Sequence, residues 1–216
     1  MRFCFLIAGL SRMRFCRIFF IILADILLIL GCSREESMLS GKKILMIIAH
    51  ENFRDEEFVV SYKQFLGEGI DVTVASTEKG KATGMFGATF DVRYSVDDVN
   101  EADFDGVVFV GGMGTPSVRA NDRAVEIAKN SAHHKVLSAI CWAPTILAKA
   151  DVVRGRKVTV WLGDDPEYGM KTSKVMENAG AAFVNKEVVT DGNIVTGNGP
   201  NAAEKFADAV MEKLSE

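Results

Sequence analysis

Cys141 follows Leu137, Ser138, Ala139 and Ile140 and precedes Trp142, Ala143, Pro144 and Thr145. The first group reads as a buried strand and the second as a helix start. A cysteine at so sharp a junction is held out of the sheet at the positive end of a helix, and both effects favour a reactive thiolate. Strand and helix backbones approach closely at such an elbow, so small residues are needed two before and two after the nucleophile. Ala139 and Ala143 occupy those places. Pro144 suits a first helical turn, where its missing N–H needs no partner. The other cysteines, Cys4, Cys16 and Cys32, lie in the first 32 residues, so Cys141 has no disulfide partner in the domain that follows. The bland alternative is a structural cysteine in apolar surroundings; position and context favour chemistry.

Two other segments carry groups that suit a cysteine nucleophile. Gly111, Gly112, Met113 and Gly114 follow an apolar run, and a glycine pair there lets backbone amides point into a site. The amides of Gly112 and Trp142 together are the candidate oxyanion hole. Arg54, Asp55, Glu56 and Glu57 open the first helix. Acids at a helix start complement its dipole, which is enough to explain Asp55 and Glu56. Glu57 lies one position further in, beside Phe58. Kept protonated by burial, it is the candidate group to hydrogen-bond the thiolate or to act as general acid and base. His50, at the carboxyl end of the first strand, is a possible base, although a lone histidine more often has a structural role. His133 and His134 read as surface residues at the opposite end of the sheet.

The elements that position these groups alternate. Strands are expected over residues 43–49, 71–76, 106–110, 135–140 and 157–161. Helices are expected over 55–68, 121–131, 144–150, 172–179 and 201–214. In the first helix Phe58, Val59, Tyr62, Phe65 and Leu66 recur at three- and four-residue spacing. The apolar run at 43–49 suits a central strand covered on both faces. Glycines at 80, 84 and 87, then alternation over 89–94, predict a small antiparallel excursion at the sheet edge. Asp191-Gly192 predicts a hairpin joining 188–192 to 193–196. The whole is an α/β three-layer sandwich with a mostly parallel sheet and its site at the carboxyl ends of the strands.

The pieces around these residues, in this order, resemble the ThiJ/PfpI superfamily from about residue 43 to the C-terminus: Lys-Ile-Leu-Met-Ile-Ile, the acidic helix start ending in Glu57, Phe-Val-Gly-Gly, Ala-Ile-Cys-Trp-Ala-Pro, Gly-Arg-Lys-Val-Thr-Val-Trp and Asp-Gly-Asn-Ile-Val-Thr-Gly-Asn-Gly-Pro. The resemblance implies a flavodoxin-like, class I glutamine amidotransferase-like sandwich, usually a homodimer or higher oligomer. It matches Cys141 to the family's elbow cysteine, Glu57 to its buried glutamate, and Gly112 and Trp142 to its oxyanion-type amides. One departure stands out. Peptidase-like members carry a histidine directly after the cysteine, where this chain has Trp142; others place one after the following strand, where it has Trp161.

The N-terminus carries Arg2, Arg12, Arg14 and Arg17, then an apolar run from Ile18 to Leu30 broken by Asp25, then Gly31-Cys32-Ser33. These are the parts of a secretory signal. Ile29-Leu30-Gly31-Cys32 resembles a bacterial lipoprotein box, in which Cys32 is lipidated and becomes the new N-terminus. The run is short for a permanent span, the alternative being an uncleaved anchor. Met13 is an alternative start. The expected organisation is a signal over 1–31, a tether over 32–40 and one domain over 41–216, held at a membrane of the cell envelope. Residues 1–31 hold four arginines and one aspartate, so the remainder has 21 basic and 28 acidic residues and a formal charge of −7 instead of −4. No basic stripe remains, which argues against nucleic acid as a partner.

A Cys-His pair needs a base for the thiol proton, and with both family histidines absent, peptide hydrolysis loses its support. The leading expectation is a glyoxalase or deglycase acting on reactive dicarbonyls or their protein adducts through Cys141 and Glu57, with no metal and no bound cofactor. The alternatives are a redox sensor or chaperone switched by Cys141 oxidation, a peptidase or amidase using His50, and a binding module with an inert cysteine.

Overall fold

The computed structural model describes residues 38–216. The signal, Cys32 and most of the expected tether lie outside them. Among the described residues no helix is long and apolar enough to cross a membrane.

The strands, in chain order, are β1 (Lys43–Ile47), β2 (Glu51–Phe53), β3 (Asp71–Ser76), β4 (Gly80–Gly84), β5 (Thr89–Val92), β6 (Tyr94–Ser95), β7 (Gly106–Phe109), β8 (Val136–Ile140), β9 (Lys157–Val158), β10 (Asp164–Asp165), β11 (Met170–Lys171), β12 (Ala182–Phe183), β13 (Val188–Asp191) and β14 (Ile194–Gly197). The helices are α1 (Asp55–Gly67), α2 (Thr115–Ala120), α3 (Asp122–Ser131), α4 (Pro144–Lys149), α5 (Thr172–Asn178) and α6 (Ala203–Ser215). Seven strands form the central sheet in the order β13-β14-β8-β7-β1-β3-β6. Every pairing in it is parallel except β13 with β14, the hairpin expected at Asp191-Gly192. Helices α1 and α6 pack together on one side, and α2, α3, α4 and α5 form a second group. Ile44, Leu45, Met46, Val107, Val108, Leu137 and Ala139 are fully buried in the middle of the sheet, as central strands covered on both faces require.

The antiparallel excursion is the β4–β5 hairpin, with β2 added alongside β4 in parallel. The chain then returns to the main sheet, because Tyr94–Ser95 pairs with the end of β3. The strand expected over 157–161 is corrected. Only Lys157–Val158 is strand, and it pairs with β12 in a separate two-stranded sheet. The chain beyond it leaves the sheet so that Trp161 N–H donates to the Cys141 carbonyl at 2.8 Å. Helix α2 was not expected, although Pro116 just inside a start after Gly114 is a recognised signal. Asn121 ends α2 and caps α3, its side chain accepting from Ala124 N–H at 3.0 Å.

Candidate active site

Three of these elements end at one cavity. Strand β8 delivers Cys141, whose φ of 66° lies in the left-handed region that non-glycine residues rarely enter. Its own N–H donates to the Gly197 carbonyl on β14 at 2.8 Å, which holds the elbow down. The loop after β7 supplies Gly111 and Gly112. A methyl group on Gly111 would fall 2.6 Å from the Cys141 Cβ and 2.9 Å from Glu57 Oε2. Gly112 has φ of 117°, and a Cβ there would lie 2.4 Å from the Asn52 carbonyl oxygen. Only glycines fit between the elbow and the start of α1, where Arg54 N–H donates to the Gly111 carbonyl at 2.9 Å.

Helix α1 brings Glu57, which is completely buried. Its Oε2 accepts from Gly111 N–H at 3.2 Å, and the carboxyl is in hydrogen-bonding interaction with the Cys141 side chain. Burial pushes the Glu57 carboxyl up to about 8, against partial opposition from the Cys141 and Gly111 hydrogen bonds and the charge of Arg54. Burial also pushes the Cys141 thiol up, and the charge and hydrogen bond of Glu57 add to the rise, while the Trp142 and Gly112 amides facing the sulfur pull it down. The elbow alone favours a thiolate, whereas burial beside Glu57 opposes one, and this buried pair resists carrying two negative charges. Once ionised, as pH rises through about 8, Glu57 is the group able to take the thiol proton.

The neighbouring acids have separate tasks. Asp55 does more than complement the helix dipole. It is buried and accepts from Phe86 N–H at 2.9 Å and Ala88 N–H at 2.7 Å, tying the β4–β5 turn to α1. Glu56 pairs with Arg54 at 2.8 Å, and the Arg54 guanidinium lies 4.7 Å from the centre of the Phe86 ring.

The cavity has a volume of about 280 Å³ and is lined by Arg54, Met85, Gly112, Met113, Cys141, Trp142, Trp161 and Pro200. Cys141, Glu57, Gly112 and Trp142 thus come together as their sequence positions suggested. His50 does not line this cavity; its carbonyl accepts from Thr83 N–H and its Nδ1 is buried without a hydrogen-bond partner. His133 and His134 border a different cavity, at the start of β8.

One part of the site escaped sequence reasoning. The Trp142 indole N–H donates to Asp165 Oδ2 at 2.8 Å, and Asp165 is gripped by Arg119 at 2.5 and 3.1 Å. Arg119 and Asp165 are completely buried. Arg119 also bonds Thr145 Oγ1 at 2.9 Å, pairs with Glu167, and lies 4.5 Å from the Tyr168 ring centre. Burial alone would raise the Asp165 carboxyl, but the hydrogen bonds from Arg119 and Trp142 outweigh it and hold it below the usual carboxylate range. The partners lie 46 residues apart, so no local pattern announces the pair. Among the described residues no group of three or more His, Cys, Asp and Glu side chains converges as metal ligands would.

A strained cysteine elbow, a buried glutamate and two facing amides on a parallel α/β sheet define a class of cysteine-centred sandwich proteins. The chain belongs to the DJ-1/PfpI family, whose model matches residues 42–213. It is 40% identical over 161 residues to Deglycase PfpI of Pyrococcus furiosus, covering 73% of this chain and 90% of that one. It is 37% identical over 181 residues to General stress protein 18 of Bacillus subtilis, covering 80% and 99%. The ThiJ/PfpI domain protein from Brachyspira murdochii superposes with a TM-score of 0.71 at 32% identity, covering 81% of this chain and 98% of that chain.

Proposed function

We propose that this protein is a cysteine-dependent enzyme of the glyoxalase or deglycase kind, acting on reactive dicarbonyls or their protein adducts. The observation that carries the reading is the buried Cys141–Glu57 pair, with Cys141 lining a cavity and the Gly112 and Trp142 amides turned to the sulfur. The family relatives named deglycase support the same class of activity.

In this reading Glu57 takes the thiol proton as sulfur bonds to the aldehyde carbon, and the carbonyl electron pair moves onto oxygen, held by the two amides. That oxygen then receives the proton, giving a hemithioacetal and restoring the carboxylate. Glu57 next removes the proton from the former aldehyde carbon, giving an enediol, and returns it to the neighbouring carbon, while the hydroxyl proton on the former aldehyde oxygen passes to the neighbouring oxygen. The product is a thioester of a 2-hydroxy acid, which water cleaves to the free acid and the thiol. The net change is addition of one water.

The test is conversion of methylglyoxal to lactate by the full-length protein and by Cys141→Ser. The proposal expects turnover by the first and none above background by the second. Equal turnover by both would sink it.

A further inference from the structure

The cavity over Cys141 is chemically one-sided. Met85, Met113, Trp142, Trp161 and Pro200 make its walls, and among the described residues Arg54 is its only charged lining side chain. The Arg54 charge is already met by Glu56 at 2.8 and 3.3 Å. The two indoles stand with ring centres 5.7 Å apart, inclined at 42°. Trp142 is buried, and Trp161 is 36% exposed. Trp142 is fixed through its N–H to Asp165, which Arg119 grips in turn. The Trp161 indole lies directly against Gly163, where a Cβ would fall 1.8 Å from its ring, and its backbone N–H is bonded to the Cys141 carbonyl. An aromatic surface already assembled beside a nucleophile lowers the ordering cost when a planar group is laid on it. The volume of about 280 Å³ approaches the range of sites that enclose drug-sized ligands. A three-carbon dicarbonyl with five heavy atoms leaves most of that space empty.

We propose that the preferred substrates are α-oxoaldehydes carrying an aryl-sized apolar substituent, and that Trp161 is the residue that selects them. The substituent lies against Trp161 and Trp142 between the two methionines, while the aldehyde carbon meets the Cys141 sulfur and its oxygen meets the Gly112 and Trp142 amides. The inference rests on the reading of Cys141 as a carbonyl-directed nucleophile. The chemistry is that already described: the S–H adds across the aldehyde C=O, and no oxidant or reductant is consumed.

Two readouts separate the selectivity from the reading it rests on. The first is the ratio of kcat/KM for phenylglyoxal to that for methylglyoxal, in wild type, Trp161→Ala and Trp161→Phe. The expected ratio is at least about tenfold in favour of phenylglyoxal, falling toward one in Trp161→Ala and largely restored in Trp161→Phe. A wild-type ratio near one, or a ratio that Trp161→Ala leaves unchanged, overturns the proposal. The second needs no turnover: protection of Cys141 from iodoacetamide by acetophenone and by acetone. Acetophenone is expected to protect at least about tenfold better, with the advantage lost in Trp161→Ala. Selective protection with no turnover of either dicarbonyl would refute the proposed reaction and leave the selectivity standing. Equal protection by both ketones would refute the selectivity itself.

Discussion

Glu57 is completely buried, and that sets both its chemistry and a stability cost. Its carboxyl keeps its proton up to about pH 8 in the folded chain, against an ordinary value of 4.5. Between those values the folded state binds a proton that the unfolded state has released, so stability falls as pH rises through that window and levels off above it. Glu57→Gln removes the titration. The variant is expected to gain stability relative to wild type as pH rises from 5 to 9, by on the order of 4 kcal/mol at about 1.4 kcal/mol per unit. Urea denaturation at several pH values reads this directly, and a difference independent of pH would contradict the assignment. The residues of this pair were legible because each sits at a punctuated place in the chain. Cys141 follows a buried strand, and Glu57 lies one step past the acids that a helix start would use anyway. What the sequence hid was their electrostatics. An elbow suggests a lowered thiol pKa, but Cys141 is buried against a carboxyl, and both circumstances push it the other way.

At the scale of elements, the alternation of apolar runs and amphipathic segments was enough to lay out the parallel sheet and the hairpin that closes it. The segment after β9 was not legible. Val160 and Trp161 continue an apolar pattern that reads as strand, yet the chain turns out to serve the elbow and then folds back as β10 and β11. The reason is a contact no window of sequence contains. Arg119 on α2 enters the interior and needs a carboxylate, and Asp165 on β10 supplies it while accepting the Trp142 indole. Removing one member of a buried pair strands the other, which costs about 3–5 kcal/mol. Arg119→Met is therefore expected to lower the unfolding free energy by about that amount, and Arg119→Met with Asp165→Leu to recover much of it. A single variant within about 1 kcal/mol of wild type would show that the pair does not hold this region together.

For the whole molecule, the envelope anchor is a proposal that rests on residues 1–32 alone. It expects the wild-type chain in the membrane fraction, carrying label from a radioactive fatty acid, and Cys32→Ser without label. Unchanged labelling of Cys32→Ser would place the lipid elsewhere or remove it from the account. Self-association, which the family resemblance implies, is likewise a proposal. Transfer of the Cys141 thiol proton to Glu57 is tested most directly by kcat/KM for methylglyoxal against pH in wild type and Glu57→Gln. A positioned general base contributes about 10²–10⁴-fold. Wild-type activity is expected to rise through a pH of about 8, and Glu57→Gln to be slower by about a hundredfold or more without that rise. Full turnover by Glu57→Gln with an unchanged pH profile would contradict this proton transfer.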